Sequence, residues 1–218
     1  CSNPVEKKPY SALAHEVSEG KSKVLFNGLP INVKVFGEHN MKNMSAAFEI
    51  CKSLGIAEES FFASIASFEG AAKRLETIYD SPNGSIFRDF AHAPSKVRAT
   101  VAAVKSKNPD RTLVAVFELH TFSSMNSEFL HQYANSMDLA DIAIVFFSPH
   151  AFKLKRLEMF EDNFVKQAFA NENILIFNDI NKLESSLENL ASSNMNILLM
   201  SSGNFDGMKI GSLFDKLE

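Results

Sequence analysis

The chain is poor in the features that most quickly assign a function. Of its 218 residues only Cys1 and Cys51 are cysteines, one terminal and one inside a helix-like stretch. That spacing excludes a disulfide framework and suits a reducing compartment. No segment reaches the ~18 apolar residues that span a bilayer, and no charged-then-apolar leader opens the chain, so a cytoplasmic protein with no membrane partner is expected. The six histidines form no H-x-H or H-x-x-x-H pair, which argues against a built-in metal site. Neither G-x-G-x-x-G nor G-x-x-x-x-G-K-[ST] occurs, so a phosphate-cradling loop is missing. A net charge of -4 and a pI near 5.9 provide no global field for nucleic acid or an anionic membrane. There are no internal repeats, low-complexity tracts or coiled-coil heptads.

What is present divides at about residue 68. Hydrophobic residues at 45% and charged residues at 22% are the mix of a packed protein, which excludes disorder. Residues 1 to 20, with Pro4, Pro9 and Gly20, read as irregular. Lys23 to Phe26 and Ile31 to Val35 flank Asn27-Gly28, a pair suited to a tight hairpin turn. Met44, Ala47, Phe48, Cys51 and Leu54 recur at helical spacing and stop at Gly55, while Phe61, Phe62, Ile65 and Phe68 form the stripe of a second helix over Glu58 to Phe68.

After the polar turn from Asp80 to Gly84, strands and helices alternate. Strands are expected at Ile86 to Phe90, Thr112 to Phe117, Ile142 to Phe147, Ile174 to Phe177 and Asn196 to Met200. Pro94 opens a helix carrying Val97, Thr100, Val101 and Val104 on one side. Further helices are expected at about Asn126 to Met137, Asp162 to Ala170, Ile180 to Ser192 and Met208 to Leu217. Short continuous apolar strands between helices predict an α/β fold, Rossmann-like, with a mostly parallel sheet covered on both faces. In such a sheet ligands bind beyond the carboxyl ends of the strands. There the sequence places Asp89 and His92, Glu118 and His120, Ser148 and His150, and the run Ser201 to Asn204.

Each group has two readings at this level. Asp89 and His92 suit a sugar hydroxyl or phosphate beside the amide groups of the Pro94 helix, or Asp89 merely caps that helix. Glu118 and His120 suit an ammonium and a carboxylate, or form a solvated turn. Lys96, Arg98, Lys105 and Lys107 read as a solvated helix face rather than a nucleic-acid surface.

Four segments in register carry a family resemblance: Gly37-Glu38-His39-Asn40-Met41-Lys42-Asn43, Phe68 to Glu76 with Lys73-Arg74-Leu75-Glu76, Asp89-Phe90-Ala91-His92-Ala93-Pro94, and Met200 to Gly207. In order and spacing they are similar to the Mur ligases of peptidoglycan synthesis. The resemblance implies that residues 1–67 are the end of a central ATPase domain and residues 68–218 the C-terminal domain that closes over the site. The UDP-sugar domain, the phosphate loop and the Mg2+ ligands would then lie outside this chain. It implies ATP as cofactor with Mg2+, and an acyl phosphate formed on the lactyl carboxylate of UDP-N-acetylmuramate and attacked by an amine. Within the family the similarity is to members that add the murein tripeptide L-Ala-γ-D-Glu-meso-diaminopimelate, with alanine-adding members, or a binding module without catalysis, as alternatives.

By motif, Asn40 and Asn43 would contact adenine, Arg74 the phosphates, and Asp89 and His92 the ribose and phosphate end. Glu118, His120 and Ser202-Gly203-Asn204 would meet the peptide. No catalytic residue or metal ligand is assigned within the chain, which would be inactive alone. The sequence departs from the alanine-adding pattern at Ala93, and at Thr121 and Ser124 where that pattern has arginines.

Overall fold

The computed structural model describes residues 7–18 and 20–217; Cys1 and Pro4 lie outside the described residues. The chain forms two units, residues 1–69 and 70–218.

In the first unit, β1 (His15–Ser18), β2 (Lys21–Phe26) and β3 (Leu29–Val33) make an antiparallel sheet in that order. Asn27 and Gly28, at φ 50° and 77°, form the expected two-residue turn between Phe26 and Leu29. Two strand expectations need correction. β1 pairs His15 with Val24 in the stretch read as irregular, and β3 begins two residues early and includes Pro30. Proline has no N–H to give a ladder and is tolerated here because β3 is an edge strand.

Two helices complete this unit, α1 (Glu38–Ser53) and α2 (Glu58–Ser67). Met41, Met44, Phe61 and Phe62 pack with Val24 and Val33, and Phe26 stacks on Phe62 with centroids 4.1 Å apart. The α1 stripe is rotated from its expected place. Met41 and Met44 are buried, Phe48 and Cys51 are partly buried, and Ala47 and Leu54 are exposed. Phe68 likewise falls outside α2 and is exposed.

The second unit is the expected α/β layer structure. Its elements in chain order are β4 (Glu76–Asp80), β5 (Gly84–Asp89), α3 (Pro94–Lys107), β6 (Thr112–Glu118), α4 (Ser127–Leu130), β7 (Ile142–Phe146), α5 (Pro149–Lys155), α6 (Asp162–Phe169), β8 (Leu175–Phe177), α7 (Ile180–Leu190), β9 (Met195–Met200) and α8 (Gly211–Phe214). The sheet order is β4-β5-β9-β6-β7-β8, parallel except for β4, which pairs antiparallel with β5.

Successive residues of a strand face opposite sides. Ile86, Val114, Val116, Ile144, Phe146, Ile197 and Leu199 therefore share one core with Leu183 and Leu187 of α7 and Leu213 of α8. Their neighbours in sequence, such as Phe87, Ala115 and Phe117, are equally buried on the other face, and α3 packs against β6 and β9. Each fully buried Val, Leu, Ile or Phe contributes about 1.5–3 kcal/mol, so register is strongly fixed.

Four local expectations are corrected in this unit. β4 was not foreseen because a register shift between Thr77 and Tyr79 breaks its alternation. The helix expected from Asn126 to Met137 is only α4 plus a 3-10 turn at His131–Tyr133, followed by Asn135 at φ 59°. The final helix, expected from Met208, shrinks to α8: Met208 closes the 3-10 turn Phe205–Gly207 in an extended conformation, φ -43° and ψ 133°, and Ile210 at φ -113° precedes the first helical residue. Finally, α5 occupies a stretch in which no element is expected: Ser148 Oγ accepts from Ala151 N–H and Pro149 occupies its first turn.

Candidate functional site

The carboxyl ends of β5, β9, β6 and β7 lie side by side, as the sheet order requires. Ser201 N–H donates to Asp89 O at 3.0 Å, and Leu119 N–H to Phe146 O at 2.9 Å, so the ends are linked beyond the ladder itself. Two polar clusters stand on this edge.

The first is built on β5. The Asp89 side chain is 7% exposed, and its oxygens accept from main-chain N–H groups of Leu75 at 2.5 Å and Ala91 at 2.6 Å. It does not cap α3; it ties the turn before β4 to the end of β5. That turn is backbone-strained, with Lys73 at φ 55° and Leu75 at φ 49°, and Phe90 N–H closes it on Lys73 O at 2.8 Å. Glu76 accepts from Lys73 N–H and from Arg88, both at 3.0 Å, and these two interactions hold its carboxyl below the usual carboxylate range.

Arg74 is exposed at the tip of this turn, its guanidinium 5.8 Å from the centroid of the Phe90 ring. His92 is half-buried, with Nδ1 2.9 Å from Phe90 O. A carbonyl only accepts, so Nδ1 carries the proton and Nε2 is left to meet a ligand. The two rings meet edge to face at 5.3 Å.

A residue not singled out by sequence completes the cluster. Tyr133 is fully buried, stacks on Phe169 at 5.4 Å and donates its hydroxyl to His92 O. Burial pushes its phenol well above the ordinary value, so it stays a donor. The bond spans 41 positions, which is why no local pattern reveals it.

The second cluster joins β6 to the loop after β9. Glu118 is 2% exposed. Its Oε2 accepts from Ser201 Oγ and from Phe205 N–H at 3.0 Å, and Ser201 Oγ accepts in turn from Gly203 N–H at 2.7 Å. Glu118 therefore organises the Ser201–Phe205 loop rather than facing solvent. Its Oε1 lies 3.5 Å from His120 Nδ1.

Gly203 sits against the His120 ring; a Cβ there would lie 2.7 Å from Nδ1. His120 Nδ1 and Ser202 Oγ are buried without a hydrogen-bond partner among the described residues, and Asn204 is exposed. These are atoms with hydrogen-bonding capacity to spare. Thr121 and Ser124 are not: their hydroxyls bond each other at 3.0 Å and Ser124 closes on Thr121 O. Lys155, on the unforeseen α5, donates to His120 O at 2.7 Å. Ser148 is spent on capping α5, and His150 is exposed.

In the first unit, Gly37 at φ 88° opens α1, Asn40 Nδ2 donates to Phe36 O at 2.9 Å, and Asn43 is exposed one turn on. The Asn40 side-chain oxygen remains an acceptor. Among the described residues no group of three or more His, Cys, Asp or Glu is placed to hold a metal ion, and no helix is long and apolar enough to cross a membrane.

The model of the family described as Mur ligase, glutamate ligase domain, matches residues 73–203, which holds the first cluster, the second up to Gly203 and most of the chain. The chain belongs to the Mur ligase family. The UDP-N-acetylmuramate--L-alanine ligase of Pelodictyon phaeoclathratiforme (strain DSM 5477 / BU-1) is 38% identical over 116 residues, covering 53% of this chain and 24% of that protein. The ligase of the same name from Paenarthrobacter aurescens (strain TC1) is 32% identical over 133 residues, 60% of this chain and 29% of that protein. The chain thus spans about a quarter of the length of the curated relatives it matches.

Among solved Mur ligases, the UDP-N-acetylmuramate-alanine ligase of Thermotoga maritima superposes with a TM-score of 0.70 at 22% identity, over 97% of this chain and 46% of that one. A murein peptide ligase from Psychrobacter arcticus 273-4 gives 0.58 at 23% identity, over 94% and 44%. At these identities the likeness establishes the shared fold.

Proposed function

We propose that the chain is the C-terminal part of an ATP-dependent ligase that joins an amine to UDP-N-acetylmuramate, with L-alanine as the first candidate amine. The observation that carries this reading is the pairing of two polar clusters on one sheet edge in a Mur ligase fold, one built around the buried Asp89 and one around the buried Glu118. The curated relatives bearing the alanine-adding name support the amine. In this reading residues 1–67 are the end of a central ATPase domain and 68–218 the C-terminal domain, the protein is cytoplasmic, and this chain is inactive without the region that supplies the phosphate loop and Mg2+ ligands.

In the proposed reaction ATP phosphorylates the lactyl carboxylate, the amine attacks the acyl phosphate, and ADP and phosphate leave with the new amide. Asn40 and Asn43 are assigned to adenine, Arg74 to phosphate oxygens and His92, through Nε2, to the ribose or phosphate end. Asp89 acts through the Arg74 turn that its carboxylate holds. His120 and Ser202, with Gly203 and Asn204, receive the amine-bearing substrate, and Glu118 sets their loop.

The murein tripeptide is the second reading. It is favoured by the Thr121–Ser124 turn, whose hydroxyls are bonded among themselves and which carries no arginine. Measuring ADP release by the complete protein with UDP-N-acetylmuramate, Mg-ATP and each amine separately tests both. Turnover with L-alanine alone supports the first reading, turnover with the tripeptide alone the second, and turnover with neither removes the ligase assignment.

A further inference from the structure

The amine-bearing substrate of such a ligase, an amino acid or a peptide, brings at least one carboxylate to the edge beside His120. A carboxylate leaving water needs a cation or several N–H donors. The groups already described there do not meet that need. Glu118 is a buried acid that offers no positive charge, and Thr121 and Ser124 spend their hydroxyls on each other and on their own turn.

The cation at this place comes from α5. Lys155 is its last residue and is half-buried, and its Nζ is anchored by one hydrogen bond to His120 O at 2.7 Å. The same ammonium lies 5.5 Å from the centroid of the Phe122 ring, a phenyl group that is 68% exposed two residues beyond His120. An ammonium has three donors. One is used by His120 O, and no acid pairs with Lys155 among the described residues, which leaves two donors on a positioned charge. Phe122 walls one side of that charge with an apolar surface instead of an acid.

We propose that Lys155 is a specificity-determining residue that binds the carboxylate of the amine-bearing substrate, beside the exposed ring of Phe122. This rests on the reading that His120 faces that substrate. His120 and Lys155 then hold the two ends of one zwitterion, the imidazole near the amine and the ammonium on the carboxylate.

The test uses the complete protein with L-alanine, the tripeptide, and L-alaninamide, which keeps the amine and lacks the carboxylate. Lys155→Met is expected to raise KM for whichever acid is the substrate by about tenfold or more, the scale of one charge-assisted hydrogen bond, with kcat little changed. KM for L-alaninamide should stay put, and Lys155→Arg should keep most of the wild-type preference for acid over amide. If Lys155→Met raises KM for acid and amide equally, Lys155 only staples the His120 loop and the proposal falls. A raised KM for ATP instead would assign its charge to a phosphate and also overturn it. If His120→Ala leaves every amine KM unchanged, the reading of this edge fails and takes Lys155 with it; a large effect of His120→Ala beside an unselective Lys155→Met removes Lys155 alone.

Discussion

Asp89→Ala removes the side chain that ties the Arg74 turn to the end of β5. The carboxylate is 7% exposed and accepts two main-chain N–H groups, from Leu75 and Ala91, at 2.5 and 2.6 Å. Hydrogen bonds to a charged partner contribute about 1.5–3 kcal/mol each. Opening the turn lets both amides reach water and returns part of that sum, while it also exposes the Leu75 side chain, now 6% exposed, and relaxes the positive φ of Lys73 and Leu75. Balancing these, a loss of about 3 kcal/mol is expected, or roughly 6–12 °C in the melting of a domain of this size.

Asp89→Asn should fall close to Asp89→Ala, because its amide keeps one acceptor and turns an N–H toward the other N–H. Urea unfolding followed by far-ultraviolet circular dichroism, fitted as two transitions for the two units, measures the change. A loss below about 0.5 kcal/mol, the range of an ordinary surface change, would refute the role assigned to Asp89.

Other perturbations test other joints of the site. Gly203→Ala places a Cβ 2.7 Å from His120 Nδ1, so the half-exposed ring must swing away; the fold should survive while KM for the amine rises, and unchanged kinetics would show that the ring position is irrelevant. Tyr133→Phe removes the donor to His92 O from a buried site and should cost about 1–3 kcal/mol. It should also shift the His92 imidazole resonances while leaving those of His15 in place, and an unmoved His92 signal would contradict the clamp. Glu76 is held below its ordinary pKa, so the stability it contributes is complete above its unfolded value and is lost as pH falls through the lower folded one. Glu76→Gln should therefore flatten the acid limb of stability by a fraction of a kcal/mol, since the pair with Arg88 is partly exposed, and an identical acid limb in both proteins would remove Glu76 from the account.

Much of this architecture was legible in the residues because the signals were local. Asn27-Gly28 fixed a hairpin, Pro94 opened a helix, and the apolar runs over Thr112 to Phe117 and Asn196 to Met200 identified strands buried on both faces. Reading the strand ends also picked out Asp89, His92, Glu118 and His120 as edge residues. Their partners were not legible. Tyr133 reaches His92 across 41 positions, Lys155 reaches His120 across 35, and Ser201 reaches Glu118 across 83.

Side-chain chemistry also left open which polar groups face a ligand and which hold the backbone. Asp89 and Glu118 look like the sugar and ammonium binders of the edge, yet each is buried and accepts main-chain N–H groups. Ser148 and Pro149 are by contrast local signals for the start of α5, the helix that ends on Lys155.

The proposed activation of UDP-N-acetylmuramate as an acyl phosphate precedes the attack of the amine. Its most direct test is to label the lactyl carboxylate with oxygen-18 and analyse the inorganic phosphate released by the complete protein in the presence of Mg-ATP and the accepted amine. One labelled oxygen transferred to phosphate for each amide formed is the result expected, and amide formation with no label in the phosphate would contradict it.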